Sequence, residues 1–228
     1  MTNFAKNAKL PEGVLFDLDG TLLNTAPDLG AALNNVCALY GKEPVHEDTY
    51  TPVASHGSRG LLKLAFSKEL ETHESELRKA FLDAYSNSIA AKTHVYEGVV
   101  PLLNALIQAQ IKVAIVTNKP KQLTQELQPS FPEFDVFESV VCGDTLSVSK
   151  PDPAPLLLAA EQLGVNPTNC IYVGDAERDI QAGRNAAMTT VLAHYGYISD
   201  SDSPADWKAD YGISTPLELL NIIGLPQP

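Results

Sequence analysis

The sequence predicts an α/β fold: a Rossmann-like parallel sheet core interrupted by an inserted α-helical cap domain. Two observations carry the expectation. Short, nearly continuous apolar runs alternate with segments of helical period, the pattern of strands covered on both faces by crossover helices. That alternation breaks once, between about Pro27 and Ala91, where only helical patterns occur.

The run Val14-Leu15-Phe16 opens the sheet. "PDLGAALNNVCALYG" then has Pro27 near its start, apolar residues at helical spacing, and Gly41 where a helix should stop. "THESELRKAFLDAYSNSI" is a second amphipathic helix with acidic residues early. From Gly98 the alternation resumes: helix "VVPLLNALIQAQ", strand "KVAIVTN", helix "KQLTQELQ" and a short strand within "FESVVCG". Helix "APLLLAAEQLG", strand "NCIYVGD", helix "ERDIQAGRNAA", strand "TTVLAHY" and helix "PLELLNIIG" complete it, with "SDSDSPADW" read as a solvated loop. The expected organisation is a core of residues 1–24 and 93–228 with a helical cap of residues 25–92.

Bulk properties narrow the function. A formal charge of −12 and no basic patch exclude binding along a nucleic-acid backbone. There is no apolar run long enough for a membrane span, and "MTNFAKNAKLPEG" lacks a charged-then-apolar leader pattern. The three cysteines, Cys37, Cys142 and Cys170, show no metal-type pairing and are read as small core residues of a reducing, cytoplasmic environment. Nothing in the sequence distinguishes a monomer from a homodimer.

In an open parallel sheet, ligands bind beyond the carboxyl ends of the strands, so what each apolar run ends in is informative. "FDLDGT" supplies Asp17, Asp19 and Thr21; "IVTN" supplies Thr117 and Asn118; "YVGDAERD" supplies Asp175 and Asp179. Lys150 stands just before the proline-rich turn "PDP". This set suits phosphoryl transfer assisted by Mg²⁺, a hard cation that prefers oxygen ligands. Asp17 and Asp175 are candidate direct ligands, with the Asp19 backbone carbonyl a third. Asp17, at a strand tip, is also the candidate nucleophile toward phosphorus, and Asp19 the proton carrier. Thr117, Asn118 and Lys150 would hold the phosphoryl oxygens. Asp179 would complete the metal's outer shell or orient Lys150. Thr21 is a secondary candidate. Gly20 and Gly174 would let backbone approach a ligand closely.

"DLDGT", "VTN", "KPDP" and "GDAERD", in this order, resemble the motifs of the haloacid dehalogenase superfamily of phosphatases, and the helical insertion resembles that superfamily's cap. The resemblance covers nearly the whole chain and implies the same roles: Asp17 nucleophile, Asp19 general acid/base, Thr117 and Asn118 phosphate ligands, Lys150 charge stabiliser, Asp175 and Asp179 metal-side acids. Asp19 argues against dehalogenases, which lack an acid there, and against phosphonate-cleaving relatives, which carry Ala. Sugar-phosphate mutases usually read "DGV" instead of "DGT", which leaves a phosphoglycolate phosphatase-like monoesterase as the expectation. "SHGSRGLL" and "HYGYISDSDSPADWKAD" also resemble a branch that includes N-acetylmuramic acid 6-phosphate phosphatases. A β-phosphoglucomutase-like phosphotransferase is the further alternative, and a small-molecule phosphate ester is the expected partner. One departure is "RNAAM", where relatives mostly have "AG" at Ala186-Ala187.

Within the insertion, His56, Gly57 and Arg59 precede an amphipathic helix and are candidate specificity residues, with Arg59 suited to a substrate carboxylate. Lys119 and Lys121 are read as solvated charges at a helix start.

Overall fold

The computed structural model describes residues 10–228; Met1–Lys9, and with them most of the segment read as lacking a leader, lie outside the described residues. The strands are β1 (Gly13–Phe16), β2 (Leu23–Asn24), β3 (His94–Val95), β4 (Lys112–Val116), β5 (Ser139–Val141), β6 (Cys170–Gly174), β7 (Thr189–Ala193) and β8 (Tyr211–Ile213). Six of them form one sheet in the order β5-β4-β1-β6-β7-β8, every neighbouring pair parallel. β1 is central: Val14 pairs with Val113 on one side and Ile171 on the other. The chain winds outward from β1 through β4 to β5, then returns past β1 to β6. The winding therefore reverses beside β1, where the loops after β1, β4 and β6 leave a crevice.

The stretch after β1 is helical, as its periodicity predicts: α1 (Ala26–Leu39), α2 (Glu47–Tyr50), α3 (Gly57–Phe66) and α4 (Leu70–Ser86), with a 3₁₀ segment over Thr51–His56. Leu29, Leu33 and Val36 of α1 pack with Leu61 and Phe66 of α3 and with Leu77, Phe81 and Tyr85 of α4. The four-residue spacing of the last three puts them on one helical face. Each fully buried side chain of this kind contributes about 1.5–3 kcal/mol, so the block has an apolar centre of its own. It joins the sheet through an antiparallel ribbon in which Leu23 of β2 pairs with Val95 of β3. Asp28 of α1 fastens the exit, its carboxylate accepting from the N–H groups of Lys92 and Thr93 and the Thr93 hydroxyl.

The start of α1 is held from outside. Thr25 makes no side-chain cap. Instead the Tyr197 hydroxyl, from the loop after β7, accepts the N–H groups of Thr25 at 2.7 Å and Ala26 at 2.9 Å. This satisfies donors that a helix N-terminus leaves unpaired.

The sheet's two faces follow from strand alternation. Val14, Phe16, Ile115 and Val173 pack against α5 (Val99–Gln108) and, further along, α10 (Glu218–Ile223). Leu15, Ala114, Val116 and Tyr172 face α7 (Ala154–Leu163) and α8 (Glu177–Asn185). Two short helices, α6 (Lys121–Leu127) after β4 and α9 (Pro204–Trp207) before β8, complete the set. The "SDSDSPADW" stretch thus ends in a helical turn, contrary to the loop expectation. β8 was also not expected, because "YGI" is short and only Ile213 is buried. The three cysteines are free and buried, as read.

Candidate active site

β1 ends at Phe16, and the Asp17 N–H continues its ladder by donating to the Val173 carbonyl at 2.9 Å. This places the Asp17 side chain, 2% exposed, in the crevice beside β6. Its Oδ1 accepts from the Leu18 N–H at 2.7 Å and lies 2.9 Å from Lys150 Nζ. β6 carries the next acids into the same space: Asp175 follows it directly, and Asp179 lies in the first turn of α8, where Oδ2 accepts the Ala176 N–H at 3.0 Å. The Cβ of any larger residue at position 174 would lie 2.4 Å from Asp179 Cβ, which accounts for Gly174.

Lys150 is the hub. Its ammonium lies 2.9 Å from Asp17 Oδ1 and 2.7 Å from Asp179 Oδ1, and donates to the Tyr172 hydroxyl at 2.7 Å and the Val116 carbonyl at 2.9 Å. It is 3% exposed, and only this full set of acceptors makes so deep a charge tolerable. The Asn118 side chain fixes the lysine's backbone from both sides: its Nδ2 donates to the Lys150 carbonyl and its Oδ1 accepts the Lys150 N–H. The Asn118 amide, expected at a phosphate, is therefore engaged in holding the lysine. Thr117 lies beside Asp17 in the cavity, its hydroxyl accepting the Lys119 N–H at 3.1 Å. Thr21 is buried and its hydroxyl is unpartnered, and it does not line the cavity.

Asp17, Asp175 and Asp179 each offer a carboxylate oxygen within 4.8 Å of the others, all buried. Asp179 is satisfied: burial opposes its charge, but the Lys150 ammonium and Arg178 outweigh that and hold it below the usual carboxylate range. Asp175 is not. Its Oδ2 accepts from Ser55 Oγ and the Tyr197 N–H, while its buried Oδ1 has no partner. Burial, together with repulsion from Asp179 and Asp17, pushes Asp175 up to about 7. Burial likewise pushes Asp17 up to about 6 against the pull of Lys150. An orphaned buried oxygen and two acids reluctant to ionise are what a site lacking one positive charge exhibits. The residues fit an oxygen-seeking divalent cation. Backbone also crowds this spot: a Cβ on Gly20, whose φ is +83°, or on Gly196 would lie 2.2 Å from an Asp175 atom.

Asp19 faces the same cavity from the turn after β1. A bend after β1 places it there, and its Oδ1 accepts from Thr25 Oγ1 at 2.7 Å and Lys119 Nζ at 2.9 Å. Lys119 is thus not the solvated charge expected. It is 8% exposed, donates to the Tyr85 hydroxyl at 2.9 Å and sits 4.5 Å from that ring's centre. Burial opposes its charge, but Asp19 and Tyr85 outweigh it and hold its pKa above the ordinary value.

Around these groups is a cavity of about 460 Å³ lined from the sheet side by Asp17, Asp19 and Arg178 and from the helical block by His56, Gly57 and Arg59. Arg59 is taken: its Nε lies 3.2 Å from Glu74 Oε1. Four site groups went unread in the sequence. Arg178 lies 3.8 Å from Asp17 and is the one cation within "DAERD", a signal that was present. Ser55, Tyr172 and Tyr197 carried none, since their contacts reach across long spans of chain.

Residues 14–193 match the family described as haloacid dehalogenase-like hydrolase. The chain belongs to this family. It is 40% identical to an N-acetylmuramic acid 6-phosphate phosphatase of Pseudomonas aeruginosa, over 93% of this chain and 94% of that one. A phosphoglycolate phosphatase of Xanthomonas campestris is also 40% identical, over 96% of this chain and all of that one. Among solved structures, a predicted phosphoglycolate phosphatase from Haemophilus somnus superposes with a TM-score of 0.79 at 26% identity, over 92% of this chain and 97% of that one. No helix among the described residues of this hydrolase is long and apolar enough to cross a membrane.

Proposed function

We propose that this chain is a Mg²⁺-dependent phosphomonoester hydrolase acting on a small anionic phosphate ester. The observation that carries the reading is the Lys150 ammonium held between Asp17 and Asp179, with Asp175 Oδ1 left open beside them. The relatives named above supply the substrate class: phosphoglycolate for one, N-acetylmuramic acid 6-phosphate for the other.

The reaction follows from this chain's own groups. The Asp17 carboxylate attacks phosphorus to form an aspartyl-phosphate, and the ester oxygen departs with a proton from Asp19. Asp19 then takes a proton from water, whose oxygen attacks the phosphorus, releasing phosphate and restoring Asp17. Thr25 and Lys119 occupy Asp19 Oδ1, leaving Oδ2 to carry the proton. Lys150 holds Asp17 in place and offsets the charge that builds on the phosphoryl oxygens, with Arg178 and Thr117 beside it. Asp17 and Asp175 would hold Mg²⁺, with Asp179 outside them. When bound, the ion neutralises carboxylate and phosphoryl charge. Residues 25–92 would act as the cap, excluding bulk water from the intermediate.

The test is phosphate release from phosphoglycolate and from N-acetylmuramic acid 6-phosphate with and without Mg²⁺. Asp17→Asn should lower turnover by about 10³-fold or more. A variant that keeps most of its turnover would sink the assignment.

A further inference from the structure

Arg59 was the residue whose type suited a substrate carboxylate, yet Glu74 already pairs with it. A second arginine of the helical block lines the same cavity. Arg78 is one turn beyond Glu74 on α4, is exposed, and makes no ion pair among the described residues. Two cap arginines and one cap glutamate therefore leave a single surplus positive charge in this wall, and Arg78 carries it. In a chain of formal charge −12, an unpaired guanidinium facing a cavity is a local reversal of sign. Its planar fork of donors matches a carboxylate.

The position of Arg78 sets a length. Tyr85, on the same helix, marks the catalytic level, because its hydroxyl binds Lys119 and Lys119 binds Asp19. Arg78 is two turns away, about 10 Å at 1.5 Å per residue. Helical side chains lean toward the N-terminus, which for Arg78 is away from Tyr85, so the lean does not shorten the gap. Phosphorus and carboxylate carbon in a two-carbon acid are separated by three bonds, roughly 4 Å. The cavity also does not end at Arg78. It continues into a groove of about 910 Å³ between α4 and α6, with Ser75, Asn87 and Gln122 on its walls and Arg78 shared by both. Polar walls of that kind suit hydroxyl and amide groups.

We infer that the substrate is a phosphorylated sugar acid, its phosphate at Asp17, its polar body toward the α4–α6 groove and its carboxylate on Arg78. This rests on the phosphomonoesterase reading and narrows it.

The test compares four esters: N-acetylmuramic acid 6-phosphate, N-acetylglucosamine 6-phosphate (the same sugar without the lactyl ether that carries the carboxylate), phosphoglycolate and p-nitrophenyl phosphate. Wild-type protein should have a higher kcat/KM for the sugar acid than for phosphoglycolate; the reverse order overturns the inference. Arg78→Ala should lower the ratio of kcat/KM for the sugar acid over N-acetylglucosamine 6-phosphate by about ten- to a hundredfold, carried by KM, as expected for losing a charge-assisted hydrogen bond. Arg78→Lys should recover part of that ratio. A ratio that stays within about twofold of wild type in Arg78→Ala overturns the inference while leaving the hydrolase reading intact. Arg78 is exposed, so a melting curve matching wild type should exclude misfolding. Wild-type protein that releases phosphate from none of the four, p-nitrophenyl phosphate included, overturns the parent reading and the inference with it.

Discussion

Ser55, in the helical block, donates a 2.7 Å hydrogen bond to Oδ2 of Asp175, the buried acid at the end of the central sheet. One atom pair thus ties the helical block to the group whose other oxygen is open to a cation. Ser55→Ala removes a donor to a buried carboxylate and a link between the two parts. It should lower kcat/KM by about 5- to 30-fold, equivalent to about 1–2 kcal/mol, with little change in fold. Steady-state kinetics across a Mg²⁺ series would check this, and an unchanged kcat/KM would refute a role for the contact.

Replacing Lys150 by Met tests the hub. The change leaves Asp17 and Asp179 buried without their shared cation, and breaking such a pair costs about 3–5 kcal/mol. Activity should be lost and the melting temperature should fall. Mg²⁺ should recover part of the stability but none of the activity, which a thermal melt paired with a phosphate assay would distinguish.

The two reluctant acids set a pH dependence. Between the ordinary value of 3.8 and the raised values of about 6 for Asp17 and about 7 for Asp175, the native chain binds more protons than the unfolded one. From these two groups, the stability of the metal-free protein therefore falls as pH rises through that window. Asp179, held low, contributes only below 3.8 and in the opposite sense. A divalent cation must displace the protons on Asp17 and Asp175, so the stabilisation given by Mg²⁺ should be larger at pH 8 than at pH 5.5. Equal shifts in melting temperature at the two pH values would contradict the charge deficit inferred here.

Much of this arrangement was legible in the sequence, and the boundary has a physical cause. The apolar runs around Val14, Ala114, Tyr172 and Val191 are buried on both faces, so composition alone reveals them as strands. Their polar endings then mark the crevice, because a parallel sheet gathers all its carboxyl ends on one edge. β8 and the β2–β3 ribbon stayed hidden, being two or three residues long with partly exposed sides. In the site, the acids and Lys150 were legible as residue types at strand ends. The partners of Ser55 and Lys119 were not: the first bond spans 120 residues and the second 100, and no local pattern encodes either. The Arg59–Glu74 pairing was not legible either, since it depends on how α3 packs on α4.

Ala187 yields a prediction about stability alone. It follows α8 with φ of +57°, in the left-handed region that costs a residue with a Cβ about 1–2 kcal/mol. The departure at "RNAAM" thus falls where the backbone favours glycine. Ala187→Gly should stabilise the protein by about 0.5–1 kcal/mol, the gain reduced by glycine's greater freedom when unfolded. Urea denaturation should show a higher midpoint with an unchanged slope. A lower midpoint would mean that the alanine methyl makes a compensating contact.

The Tyr197 hydroxyl bears on modularity. Thr25 does not cap the first helix of the insertion; besides the neighbouring Asn24, a tyrosine more than 170 positions later takes its first amides, and the same residue's N–H donates to Asp175. Residues 25–92 are therefore not a cassette that brings its own ends. Grafted onto another sheet that lacks an equivalent hydroxyl, the segment would begin with its first two amides short of this acceptor. Moving this insertion between relatives requires moving the loop after β7 with it.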